Sequence, residues 1–189
     1  LNADLFSQSP HKKAFDELGL PECETCHGNH EIIAATNELL GTSAEAVCSR
    51  CHSETDNPKG YHGAQLMRQL SDSLEAAEIR ARGLVEEAEQ KGMEIGEAKF
   101  KLRDVRQARL EGRTVVHAFN EKRFQGVVSK GLGEAGMVSG EAHQAVSEYY
   151  FRRIGLGFAT LIITTLAVAL YLYIRRLERS PSGRVESMH

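Results

Sequence analysis

The sequence contains no tryptophan, and aromatic residues make up only 6% of its 189 positions. That is a thin supply for a large packed core. Charge of one sign is not in excess either. The formal net charge is −3, so nothing argues for a nucleic-acid partner. No run alternates apolar and polar residues long enough to make a useful strand. The N-terminus shows no basic stretch followed by an apolar one, as an export signal would. Cysteine is equally sparing. There are four, and none lies outside two short strings.

Those strings are Cys23-Glu24-Thr25-Cys26-His27 and Cys48-Ser49-Arg50-Cys51-His52. Each is C-x-x-C-H, the attachment pattern of c-type haem. Two thiols bond the porphyrin, and the adjacent histidine is held under the iron. The expectation is two covalently attached haem c groups, held by Cys23, Cys26, His27, Cys48, Cys51 and His52. Three other readings are weaker. A zinc ribbon would use four thiolates and need no histidine, yet both pairs carry one in the same place. A thioredoxin-like C-x-x-C belongs in a βαβ pattern, and no strand–helix alternation is present. A disulfide across two intervening residues closes a small, strained loop. A covalent haem also supplies apolar surface to a chain with little core of its own. Haem c is attached outside the cytoplasm, so an export signal is required somewhere. The chain starts at Leu1 and is read as a processed or truncated product, with room for further motifs upstream.

Residues 1–60 are expected to form a small, loop-rich dihaem domain. Ser9-Pro10 reads as a helix start, and Gly19 and Pro21 as its end. Gly28-Asn29 is a turn, Thr42 to Glu45 caps a short helix running into Cys48, and residues 53–60 form a loop. Residues 61–121 change texture. Met67, Leu70, Leu74, Ala77, Ala81, Leu84 and Ala88 repeat in steps of three and four, a helical seam. Gln90-Lys91-Gly92 interrupts it. A second stripe follows at Ile95, Ala98, Leu102, Val105, Ala108, Gly112, Val115 and Phe119. The first helix is mostly acidic and the second mostly basic, although exposed ion pairs are individually weak. The pattern predicts a long antiparallel hairpin, with one continuous helix through Gly92 as the alternative.

Residues 122–153 are expected to comprise a loose Gly- and Ser-rich connection over 126–140, then a polar juxtamembrane helix. Residues 154–174 contain no charge. As a helix they span about 31 Å, the thickness of a bilayer core. Tyr149, Tyr150 and Phe151 flank one end, and Tyr171 and Tyr173 the other. Arg175, Arg176, Arg179 and Arg184 outnumber Arg152 and Arg153. The C-terminal tail, 175–189, is therefore expected on the cytoplasmic side and the haem motifs outside. The end of that tail reads as disordered. The fold class expected is mostly α, with a dihaem domain, a hairpin and a single C-terminal transmembrane helix.

Each haem leaves one iron face open. His11, His30 and His117 are the candidates to fill them; the ordinary alternative for each is a packed or surface histidine. His30 lies too close to His27 to reach the far face of the same haem. The hairpin returns His117 to the level of Met67, most plausibly near the second haem. Met67 and Met93 are further ligand candidates. His62 and His143 read as solvated. Three histidines for two open faces leaves one spare, either a bystander or a ligand to a haem on a missing segment or a neighbouring chain.

The stretch from Ser9-Pro10-His11 through Cys23-Glu24-Thr25-Cys26-His27-Gly28-Asn29-His30 to Cys48-Ser49-Arg50-Cys51-His52 resembles a two-haem repeat of multihaem c-type cytochromes of the cytochrome c3 or doubled C-x-x-C-H type. The resemblance implies bis-histidine haems, with His11 and His30 as distal ligands. The functional expectation is a membrane-anchored electron carrier rather than an enzyme, at most a subunit of an oxidoreductase complex. It would pass electrons between the quinone pool or a membrane oxidoreductase and another cytochrome. Its expected surroundings are membrane lipid and a larger respiratory assembly. The alternative is a reductase subunit with an open iron acting on a small nitrogen or sulfur oxyanion, steered by Lys12, Lys13 and Arg50.

Overall fold

A computed structural model describes residues 1–31 and 34–179. Among the described residues the α-helices are α1 (Asn2–Ser7), α2 (Pro10–Leu18), α3 (Glu24–His27), α4 (Pro58–Gln90), α5 (Gly96–Val115) and α6 (Glu121–Arg179). Short 3₁₀ turns cover Asn37–Leu39, Val47–Arg50 and Val116–Ala118. No strand occurs among the described residues. The chain divides into two compact units, Leu1–Ala145 and the residues from Val146 onward.

In the first unit the helix boundaries follow local chemistry. Ser9 is the N-cap of α2 and Pro10 its first residue, where a missing N–H costs nothing. Gly19 ends α2 in the left-handed region, φ +65°. Asn57 caps α4 by accepting the Gly60 N–H at 3.0 Å, so α4 begins at Pro58 and absorbs the end of the expected 53–60 loop. Gly92, at φ +72°, breaks the path between α4 and α5. The continuous-helix alternative is thereby set aside.

Helices α4 and α5 pack antiparallel. Lys99 Nζ meets Glu89 Oε1 at 2.5 Å near the turn, and Arg109 pairs with Glu78 and, at 3.7 Å, with Glu75 further along. The α5 stripe is buried largely as its spacing implies, at Ile95, Ala98, Val105, Ala108 and Val115. On α4 the seam drifts: Val85, not Leu84, is buried towards the C-terminal end. A straight helix drifts against a seven-residue repeat in this way.

Residues 126–140 correct the sequence reading. They are helical, not a loose connection. Phe124, Val128, Ala135, Val138 and Ala142 are all buried, and the remaining position of that stripe, Gly131, is buried with them. These residues recur in steps of four and three, one face of a helix. At Gly131 a Cβ would lie 2.7 Å from the Ala108 Cβ and 2.9 Å from Leu74 Cδ1. Glycine here lets three helices close on one another. Glu141 adds a tie at the other end, accepting the Ala98 N–H at 3.2 Å at the start of α5. The remaining glycines of the run look outward into open space.

In the second unit, every residue from Phe151 to Arg179 is exposed. Residues 154–174 lie within one helix that is long and apolar enough to cross a membrane, with mean hydropathy 2.0 over its most apolar window. Arg184 and residues 180–189, including most of the expected tail, lie outside the described residues.

Glu78 is a buried carboxylate in an otherwise apolar seam, and Arg109 is its partner. Removing one member of a buried pair strands the other charge. Arg109→Met is therefore expected to cost about 3 kcal/mol. Glu78→Leu should cost less, because Arg109 is partly exposed and can turn to solvent. The double variant should recover most of the loss. Urea midpoints of the detergent-solubilised protein, arranged as a double-mutant cycle, measure the three values.

Candidate functional site

The two cysteine motifs share one local geometry. His27 N donates to Cys23 O at 3.0 Å and Cys26 N to Cys23 O at 3.3 Å. His52 N and Cys51 N donate to Cys48 O at the same two distances. Each turn holds two cysteines one helical step apart and puts a histidine directly after the second. Arg50 joins the motifs by donating from Nη1 to the Thr25 carbonyl at 3.3 Å. All four cysteines are free thiols.

Both motifs line a single cavity of about 440 Å³. α2 contributes His11 and Phe15, α4 contributes Gly60, Ala64 and Met67, and the end of α5 with its 3₁₀ turn contributes Val116, His117 and Phe119. Four histidines therefore meet there, and they meet in pairs. His11 Nε2 and His52 Nε2 are 3.4 Å apart. The His27 and His117 rings stack with centroids 6.0 Å apart and planes 24° from parallel. Each pair combines one motif histidine with one from a distant segment.

Local contacts fix the rings. His117 Nδ1 lies 3.0 Å from the Thr114 carbonyl, which can only accept, so Nδ1 carries the proton and Nε2 is left free to ligate. His52 packs on the α4 backbone at Gly60, where any Cβ would overlap its ring. His11 sits against Phe119, centroids 3.9 Å apart, and edge-on to Phe15 at 5.9 Å. His11 Nδ1 and His52 Nδ1 are buried without a hydrogen-bond partner.

Burial decides the electrostatics. It pushes the His11 pKa below the usual histidine value, and the nearby His52 adds to the effect; burial alone lowers His52. Both are driven towards neutral imidazole, the form that binds metal. A histidine held neutral in the fold resists protonation there more than in the unfolded chain. Acidification through the ordinary histidine range therefore works against the folded pocket. Burial also raises the thiols of Cys26 and Cys48.

The sequence expectations can now be placed. His11 and His117 both reach the cavity. His117 faces His27 of the first motif, which corrects its expected place beside the second. His30 is exposed and is not among the residues lining the cavity. His62 and His143 are exposed, as read. Met67 lines the cavity as part of the buried α4 face, whereas Met93 sits in the α4–α5 turn away from it. Gly60 and Phe119 were missed as site residues. The Asn57-Pro58 helix start was the available signal for Gly60. Phe119 looked like one more member of the α5 stripe.

A family model described as "Doubled CXXCH motif" matches residues 18–57. The match supports a multihaem c-type cytochrome with covalently bound haem. No curated protein and no solved structure matches the chain. The residues fit such a group on their own evidence. The free thiols of Cys26, Cys48 and Cys51, four imidazoles and two buried orphan nitrogens line one largely apolar cavity, with Cys23 exposed beside it. Among the described residues, no group of three or more His, Cys, Asp and Glu is arranged to hold a bare metal ion.

The thiols differ in access. Cys23 and Cys51 are exposed, while Cys26 and Cys48 are half-buried with raised pKa values. In the haem-free chain, iodoacetamide at mildly alkaline pH should modify Cys23 and Cys51 several-fold faster, since the thiolate is the reacting form. Peptide mass spectrometry over time gives the four rates; equal rates would contradict the placement of the motifs.

Proposed function

We propose that this chain is a membrane-anchored electron-transfer cytochrome carrying two covalently bound haem c groups. The observation that carries the reading is the pairing of four histidines across one cavity, His11 with His52 and His27 with His117. A covalently bound haem would supply one-electron redox chemistry, with its potential tuned by axial ligands and burial. The protein's part is to attach, ligate and shield. Cys23 and Cys26, and Cys48 and Cys51, are the attachment pairs, and His27 and His52 the motif ligands. His11, which meets His52, and His117, which meets His27, would be the second histidine for each iron. That favours electron transfer over chemistry on a bound substrate, because a reductase needs one face open.

The same reading places the chain in a membrane. The exposed, uncharged helix over residues 154–174 supports a single-pass anchor. The cluster of Arg175, Arg176 and Arg179 after that stretch favours a cytoplasmic C-terminus, with the haem-bearing unit on the outer side. A quinol oxidoreductase or the quinone pool on one side of the chain's redox step, and a further cytochrome on the other, are partners that suit this position.

Three measurements test the proposal. Haem quantitation as the pyridine complex should give two haems per chain. The dithionite-reduced spectrum should keep its α band unchanged on adding carbon monoxide. His117→Ala should then bind one carbon monoxide per chain, and His30→Ala none. A carbon monoxide shift in the unaltered protein would move the open-iron reductase to the front.

A further inference from the structure

We infer that Phe119 is a positioning residue for the second motif: its ring, set by a left-handed backbone, holds the His11 imidazole towards His52. The inference rests on the reading of His11 as a far-side ligand.

Among the described residues, Phe119 is the only non-glycine with positive φ, at +46°. For a bulky residue this is a strained outlier. The chain does not need the strain in order to turn. At Gly19 and Gly92 the same kind of reversal is made with glycine. Nor does the start of α6 need it, since Asn120 already accepts the Arg123 N–H at 3.0 Å. The aromatic ring is what distinguishes the position. It lies across His11 with centroids 3.9 Å apart and planes at 53°.

Besides the 3.4 Å approach of its Nε2 to His52 Nε2, His11 has only packing to hold it. Its Nδ1 is buried and without a hydrogen bond. Its ring is edge-on to Phe15 at 5.9 Å and to His52 at 5.7 Å. The contrast is with His117, whose Nδ1 is tied to the carbonyl of Thr114 within its own helix end. One far-side histidine is thus oriented by a hydrogen bond to the backbone, and the other by packing beside the imidazole it faces. Packing that depends on one strained residue can be removed by one substitution. The iron served by His52 should then open, while the iron served by His27 stays closed.

The test is a carbon monoxide titration of the full-length, detergent-solubilised, dithionite-reduced protein, with haem content measured in parallel. Phe119→Gly removes the ring but adopts the left-handed turn without strain, so the fold is not put at risk. It is expected to keep two haems and bind one carbon monoxide per chain, where the unaltered protein binds none. Phe119→Tyr should restore the silent spectrum. His11→Ala should bind one carbon monoxide, and the Phe119→Gly/His11→Ala pair still only one, because both changes open the same iron. A silent Phe119→Gly, or a double variant that binds two, overturns the role of Phe119 and leaves the ligand reading standing. Binding by the unaltered protein overturns that reading and this inference with it.

Discussion

The antiparallel register of α4 and α5 is the constraint on which the histidine pairing depends. His117 follows α5 directly, so its position is fixed by where α5 ends against α4. A slip of one residue along a helix turns a side chain by about 100° around the axis. Such a slip would carry His117 off His27 and Phe119 off His11 together. Three features oppose it. Glu78 is buried and is paired with Arg109 in the observed register. Lys99 and Glu89 close the pair beside the turn. Leu74, Ala108 and Gly131 meet where no larger residue fits. The buried ion pair is a weak source of net stability, but an unpaired Glu78 would be costly, and that asymmetry selects the register.

The motif half of this arrangement is legible in the sequence. Spacing alone picked out the six motif residues, and the return of a helix past Gly92 brought His117 into play. The failures have physical causes. The glycines of 126–140 were weighed as loop formers, yet those facing outward are tolerated in a helix whose other face is buried; the seam at Phe124, Val128, Ala135 and Val138 was the stronger signal. His30 was supported by the family resemblance and not by its spacing, and the residue is exposed and away from the cavity. The motif that His117 would serve could not be read, because both motifs line the same cavity and spacing along α5 cannot separate them.

Arg50 shows how short connections bring the motifs together. Among the described residues between His27 and Cys48, regular structure is confined to the 3₁₀ turn Asn37–Leu39 and the start of the turn Val47–Arg50. Order there comes from side chains reaching out of it and onto the bundle. Asn37 donates to Asp72 at 3.1 Å and to Glu75 at 2.8 Å on α4, and Arg50 donates back to Thr25. Glu75 also meets Arg109 at 3.7 Å. The same short stretch of helix therefore carries the loop on one side and the register-setting pair on the other. Loop and hairpin are coupled, and neither motif is placed by its own segment alone.

Burial then does two jobs with one dielectric. It lowers the pKa of His11 and His52 and raises that of the Cys26 and Cys48 thiols. These shifts run in opposite directions on the pH scale but share one cause, the cost of holding charge away from water. Each leaves its group uncharged. Neutral imidazole is the ligating form, and the largely apolar lining would suit an apolar macrocycle better than water. What burial does not supply is direction. Direction comes from the Thr114 carbonyl at His117, from the Gly60 backbone at His52, and at His11 from the rings around it and the facing His52 Nε2 at 3.4 Å. The rings of the site are thus unevenly aimed, one by a backbone hydrogen bond and the others by packing.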